Sequence, residues 1–144
     1  MAKSTDVFSK SKRSEVMSRI TGKGNASTEL EFIKILRKSG ITGWRRHLSL
    51  PGRPDFTFPR ERLCIFVHGC FWHGCPECYR KPKSNTKYWS EKILTNLARD
   101  RRSIRRLRNA YYSVLVLWEC KLGLRENIAK KVTKALSRTM ILPE

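Results

Sequence analysis

The chain has 144 residues, enough for one domain with a real core and too few for two. It carries 31 Lys and Arg against 12 Asp and Glu, a formal net charge of +19, while 40% of its residues are hydrophobic, which excludes a disordered basic tail. No window approaches the roughly 18 apolar residues of a membrane span, and "MAKSTDVFSKSKRSEV" has no apolar signal core, so an intracellular protein whose positive charge meets nucleic acid phosphates is expected.

In chain order, residues 1–10 are polar and expected to be mobile. "SKRSEVMSRI" sets Val16, Met17 and Ile20 in a basic background, the pattern of a short helical arm over about residues 11–22 that lies on a partner. "ASTELEFIKILRKSG" predicts a helix with Ser27 as N-cap, acids in its first turn, Gly40 as its stop, and Leu30, Ile33 and Leu36 facing the core. "WRRHLSL" reads as a strand followed by the turn "PGRP". "DFTF" and "LCIFV" read as two strands joined through "PRER" in a hairpin, with Cys64 a small buried residue of the second. Trp89 to Asn109 predicts a long helix with Ile93, Leu97, Ile104 and Leu107 on one face, "SVLVLWE" a buried strand, and 125–139 a final basic helix. This order describes an α/β fold, a mixed central sheet flanked by helices.

The chemistry concentrates in "HGCFWHGCPEC", residues 68 to 78. Cys70, Cys75 and Cys78 form C-x4-C-x2-C, and Cys120 follows a distant apolar run, so four thiolates around a tetrahedral zinc is the economical assignment. Three cysteines with His73 is the alternative. Asp55 opens a strand after a proline; it either holds a hard cation with a backbone carbonyl from the neighbouring strand end or caps a turn. Asp100 interrupts the apolar row of the long helix. A buried carboxylate needs a partner, and either a histidine of the cluster or a neighbouring arginine can be it. Phe71 and Trp72 in the loop and Trp89 at the mouth of the helix are either core or wedges between DNA base steps. "RDRRSIRRLR" holds six arginines in ten residues and suits phosphate contact.

Taken together, "PGRPDF", "HGCFWH", "YWSEKI", "N-x3-D" within "NLARDRR" and "LWEC", in that order from about Ser11 to about Arg125, resemble the very short patch repair (Vsr) endonucleases. The resemblance implies a restriction-endonuclease-like fold of the PD-(D/E)xK type, in the variant whose (D/E)-x-K half is replaced by histidines, with a structural zinc site. It implies that residues 11–144 form a single endonuclease domain. The implied activity is Mg²⁺-dependent, strand-specific nicking 5′ of the mismatched T in T:G mismatches left by deamination of 5-methylcytosine. By the same resemblance Asp55 and the main-chain carbonyl of Val67 hold Mg²⁺, His73 is the general base oriented by Asp100, and His68 and Glu29 lie around the attacking water and the phosphate. Phe71, Trp72 and Trp89 correspond to intercalating aromatics, Cys70, Cys75, Cys78 and Cys120 to the zinc site. Arg13, Arg19, Arg99, Arg101 and Arg102 are the expected DNA-backbone contacts. The implied partner is double-stranded DNA with a T:G mismatch, met by a monomer in a bacterial-type cytoplasm and linked in function to a cytosine-5 DNA methyltransferase. This sequence departs from the family in placing Cys75 where a histidine ligand is common and Val67 where Thr is. Two other readings stand beside it: a restriction-type enzyme of the same fold, and a non-catalytic, zinc-stabilised DNA-binding module.

Overall fold

The computed structural model describes residues 26–141; the expected arm with Arg13 and Arg19, and residues 1–10, lie outside them. Helix α1 (Ala26–Lys38) is ended by Gly40, whose φ of +68° lets the chain turn back while the Ile41 N–H caps the Leu36 carbonyl at 2.9 Å. The helix already includes Ala26, so Ser27 lies within it and is not its cap. Its inward face is Thr28, Glu29, Phe32, Ile33, Ile35 and Leu36, whereas Leu30, expected inside, is 51% exposed.

The anticipated strand over "WRRHLSL" shrinks to β1 (Arg45–Arg46), both residues exposed. It pairs antiparallel with β2 (Phe56–Phe58), which forms the expected hairpin with β3 (Leu63–His68). Helix α2 (Thr86–Asn109) starts three residues earlier than expected and leads to β4 (Ser113–Trp118), which runs parallel to β3. A 3₁₀ turn, Glu119–Lys121, and helix α3 (Arg125–Ile141) follow. The sheet order is β1-β2-β3-β4, antiparallel but for its last pair, so β4 is an edge strand; only Leu117 of it is fully buried.

Alternation along β3 divides the molecule into two faces. Leu63, Ile65 and Val67 join Phe56, Phe58 and Leu117 under α1 and α3, where Phe32, Leu36, Ile128 and Val132 complete a core. Cys64 and Phe66 turn the other way and meet Leu107 of α2. At the turn before β2, Gly52 has φ +73°, and a Cβ there would come 2.4 Å from the Cβ of Ser103. The "PGRP" turn therefore lies against α2, which fixes where Asp55 enters the sheet.

Candidate active site and cysteine cluster

The hairpin register brings the start of β2 beside the end of β3. The Val67 N–H donates to Asp55 Oδ2 at 2.7 Å. In an extended strand a residue's N–H and C=O lie on the same edge, so the Val67 carbonyl also faces the Asp55 side. Burial pushes the Asp55 carboxyl up to about 6, and the neighbouring Glu29 carboxylate adds to this, while the Val67 N–H and nearby His73 act in the opposite direction. Glu29 comes from α1 and is only 2% exposed. Arg46 Nη2 lies 3.3 Å from its Oε2 and His47 Nε2 lies 3.2 Å from its Oε1, yet neither oxygen receives a hydrogen bond of good geometry. Two acids drawn together in a partly dry site with unmet lone pairs form a cation-binding arrangement.

Alternation sends His68 to the α2 side of the sheet, next to Phe66. There its ring stacks on His73, with centroids 3.8 Å apart and planes within 4°. Burial lowers the His68 imidazole to about 4, helped by His73 and opposed by Asp100, and its Nδ1 has no hydrogen-bond partner. His73 Nδ1 lies 2.6 Å from Oδ2 of Asp100, one side of which faces inward from α2. Asp100 thus pairs with a histidine rather than with one of its arginine neighbours. The His73 Nε2 is left available for a proton, the arrangement of an oriented general base. His68, His73 and Asp100 are also close enough to share a metal ion, as are Glu29, His47 and Asp55.

The loop between β3 and α2 carries the aromatics. Phe71, Trp72 and Trp89 meet edge to face, with centroids 5.1, 5.2 and 5.8 Å apart, and all three are half-buried. Buried Asn96 donates through Nδ2 to the Trp72 carbonyl at 2.9 Å, which ties the loop to α2 one turn before Asp100. Arg99 donates to Asn96 Oδ1 at 3.0 Å, while Arg101 and Arg102 are exposed.

The parallel register sets His68 opposite Trp118, so Cys70 and Cys120 each lie two residues past a paired position. The Cys120 N–H donates to Cys70 Sγ at 3.3 Å, and the four sulfurs of Cys70, Cys75, Cys78 and Cys120 lie within 4.8 Å of one another. Cys75 Sγ and Cys120 Sγ are 3.8 Å apart. That matches the edge of a tetrahedron with zinc–sulfur bonds of about 2.3 Å, so the cluster is spaced to hold zinc. Burial raises the Cys70 thiol; at Cys75, the N–H groups of Glu77 and Cys78 outweigh burial and bring the thiol down to about 7. His73 is not part of this cluster; its Nδ1 is taken by Asp100.

Two residues of the site have no role assigned to them by the sequence. Asn96 sits one turn before Asp100 in the inward row, a polar residue whose spacing signals a loop tie. His47 was hidden in an expected strand; its signal was only a third histidine eight residues before Asp55.

A strongly basic chain with paired carboxylates beside a carboxylate-held imidazole has the equipment of a phosphodiester hydrolase. The family model described as DNA mismatch endonuclease Vsr matches residues 5–80. The chain is 42% identical over 125 residues to the DNA mismatch endonuclease Vsr of Escherichia coli (strain K12), covering 85% of this chain and 79% of that protein. It is 40% identical over 121 residues to the type II nicking enzyme V.XorIIP of Xanthomonas oryzae pv. oryzae, covering 83% and 88%. With the type II nicking enzyme V.NmeAIP of Neisseria meningitidis serogroup A it shares 38% over 120 residues, covering 82% and 84%. The chain belongs to the Vsr family of DNA endonucleases. Membership sets aside the non-catalytic binding module. Among the described residues, no helix is long and apolar enough to cross a membrane.

Proposed function

We propose that the chain nicks duplex DNA 5′ of the mismatched T in T:G mismatches, using Mg²⁺ at Asp55 and the Val67 carbonyl, with zinc on the four cysteines holding the loop. We assign it the restriction-endonuclease-like fold over residues 11–144, acting as a monomer in the bacterial cytoplasm downstream of a cytosine-5 DNA methyltransferase. The observation that carries the reading is the 2.6 Å contact between His73 and Asp100 at the same sheet end as buried Glu29 and half-buried Asp55. It supplies a base with a fixed tautomer next to a cation site.

In this reading, Asp100 accepts the Nδ1 proton of His73, so Nε2 is free to take a proton from the attacking water. His68, held neutral by burial, keeps the His73 ring in plane by stacking without adding a competing charge. The chemistry that a bound Mg²⁺ supplies is polarisation of the phosphodiester and stabilisation of charge on the leaving 3′ oxygen. The product carries a 5′ phosphate. Phe71, Trp72 and Trp89 enter the stack beside the weak T:G pair, where unstacking costs less than at a matched pair. Exposed Arg101 and Arg102, with Arg99, Arg13 and Arg19, contact phosphates.

The test is a denaturing-gel assay on end-labelled duplexes with one T:G mismatch in randomised flanks, with Mg²⁺ or EDTA, comparing wild type with Asp55→Ala. Mg²⁺-dependent nicking of the T strand that Asp55→Ala abolishes is the expected result. Equal cutting of both strands in matched DNA would replace this reading with a restriction-type enzyme.

A further inference from the structure

The pairing of β1 with β2 extends one residue beyond the ladder: the His47 N–H points to the Asp55 carbonyl at 3.4 Å. His47 has φ +50°, a left-handed backbone that is uncommon for histidine. This conformation sets its side chain beside Glu29, with Nε2 3.2 Å from Oε1, and Arg46 on the other oxygen. The imidazole is near that oxygen without aiming a hydrogen bond at it, and Glu29 is 2% exposed with both oxygens unmet. One ligand atom each from Glu29, His47 and Asp55 lies within 4.8 Å of the others. Two carboxylates alone suit a hard cation such as Mg²⁺; an imidazole nitrogen beside them suits a divalent transition metal better.

We propose that His47 completes a carboxylate–imidazole cation site with Glu29 and Asp55, so that this position, while serving Mg²⁺, binds a divalent transition cation, probed as Mn²⁺, more tightly. The inference rests on the proposed cation site at Asp55 and adds a nitrogen ligand to it. The backbone strain at His47 is then the cost of presenting that nitrogen.

The experiment uses the full zinc-loaded chain, titrated with Mn²⁺ while electron paramagnetic resonance follows the free aqua ion, with pulsed measurements for ¹⁴N coupling and Mg²⁺ as competitor. His47→Asn keeps a residue that tolerates positive φ but is too short to ligate, and His47→Gly serves if that variant fails to fold. The expected result is ¹⁴N coupling in the wild type, its loss in His47→Asn, and Mn²⁺ binding weakened on the order of tenfold or more with Mg²⁺ binding little changed. Unaltered coupling and Mn²⁺ affinity in His47→Asn would overturn the inference, the nitrogen then belonging to His68 or His73. Asp55→Ala separates the two levels. Loss of both cations in Asp55→Ala alongside an unaffected His47→Asn removes only the His47 ligand. Retention of both cations in Asp55→Ala removes the Asp55 site itself.

Discussion

On the side of the sheet covered by α1 and α3, three phenylalanines, Phe32, Phe56 and Phe58, are fully buried among aliphatic neighbours. On the side covered by α2, the packed apolar cluster is Cys64, Phe66 and Leu107, and beyond it the face passes into His68, His73 and Asp100. The first face buries many apolar groups, with the unmatched oxygens of Glu29 at the sheet end; the second leaves the His68 Nδ1 without a hydrogen-bond partner. The main core and the proposed chemistry thus lie on opposite sides of one four-stranded layer, and they meet where Glu29 and Asp55 close its end.

Substitutions on the two sides should therefore separate cutting from folding. The largest effect is expected for His73→Ala, which lowers the nicking rate on the order of 100- to 10,000-fold in single-turnover assays. Its thermal midpoint and zinc content stay at the wild-type level; zinc loss would make His73 a ligand and overturn the division. Phe32→Ala, on the other face, should destabilise the fold by about 3–5 kcal/mol in urea titrations and leave the cutting rate per folded molecule intact.

Asp55→Asn sits on the boundary and should do both, in opposite senses. Because the folded carboxyl titrates at about 6 and not at its ordinary 3.8, the folded state holds a proton between those values that the unfolded chain has released. The stability this contributes is complete below 3.8 and lost as pH rises through 6. Above pH 6 the cation-free ionised carboxylate is a liability of about 1–3 kcal/mol, allowing for its partial exposure. Asp55→Asn should then melt higher than wild type at pH 8 in EDTA, melt nearly level with it at pH 4, and fail to nick. The opposite trend of buried His68 is common to both proteins and cancels. A wild-type protein as stable as the variant at pH 8 would show that the acid is not strained. The smallest effect is expected for Leu30→Ser, about 0.5 kcal/mol or less, since that side chain faces solvent.

Leu30 also shows what the sequence could not display. Periodicity alone aimed Leu30, Ile33 and Leu36 inward, but the face is rotated so that Thr28 and Glu29 turn in, Thr28 donating to Glu119 at 3.1 Å. Near a functional site polar residues take core positions, and a hydrophobic pattern misreads them. The β2–β3 hairpin, α2 and the inward aim of Asp100 were legible because each rests on local spacing or on the cost of one misplaced charge. β4 looked buried because its residues are apolar, yet its place at the sheet edge leaves most of it half-buried, and strand order is not written in local pattern. The approach of His47 to Glu29 depends on a left-handed residue that no motif announces.

The registration of β3 on β4 has one more consequence. Cys70 and Cys120 are neighbours only because His68 stands opposite Trp118. A slip of one residue would displace the two sulfurs by about 3.3 Å along the strands and turn a whole row of side chains to the wrong face. With zinc bound as proposed, the thiol cluster works as a checksum on strand pairing: a chain assembled out of step cannot close four sulfurs around one ion. The metal content of refolded protein counts the correctly aligned molecules before any DNA is cut.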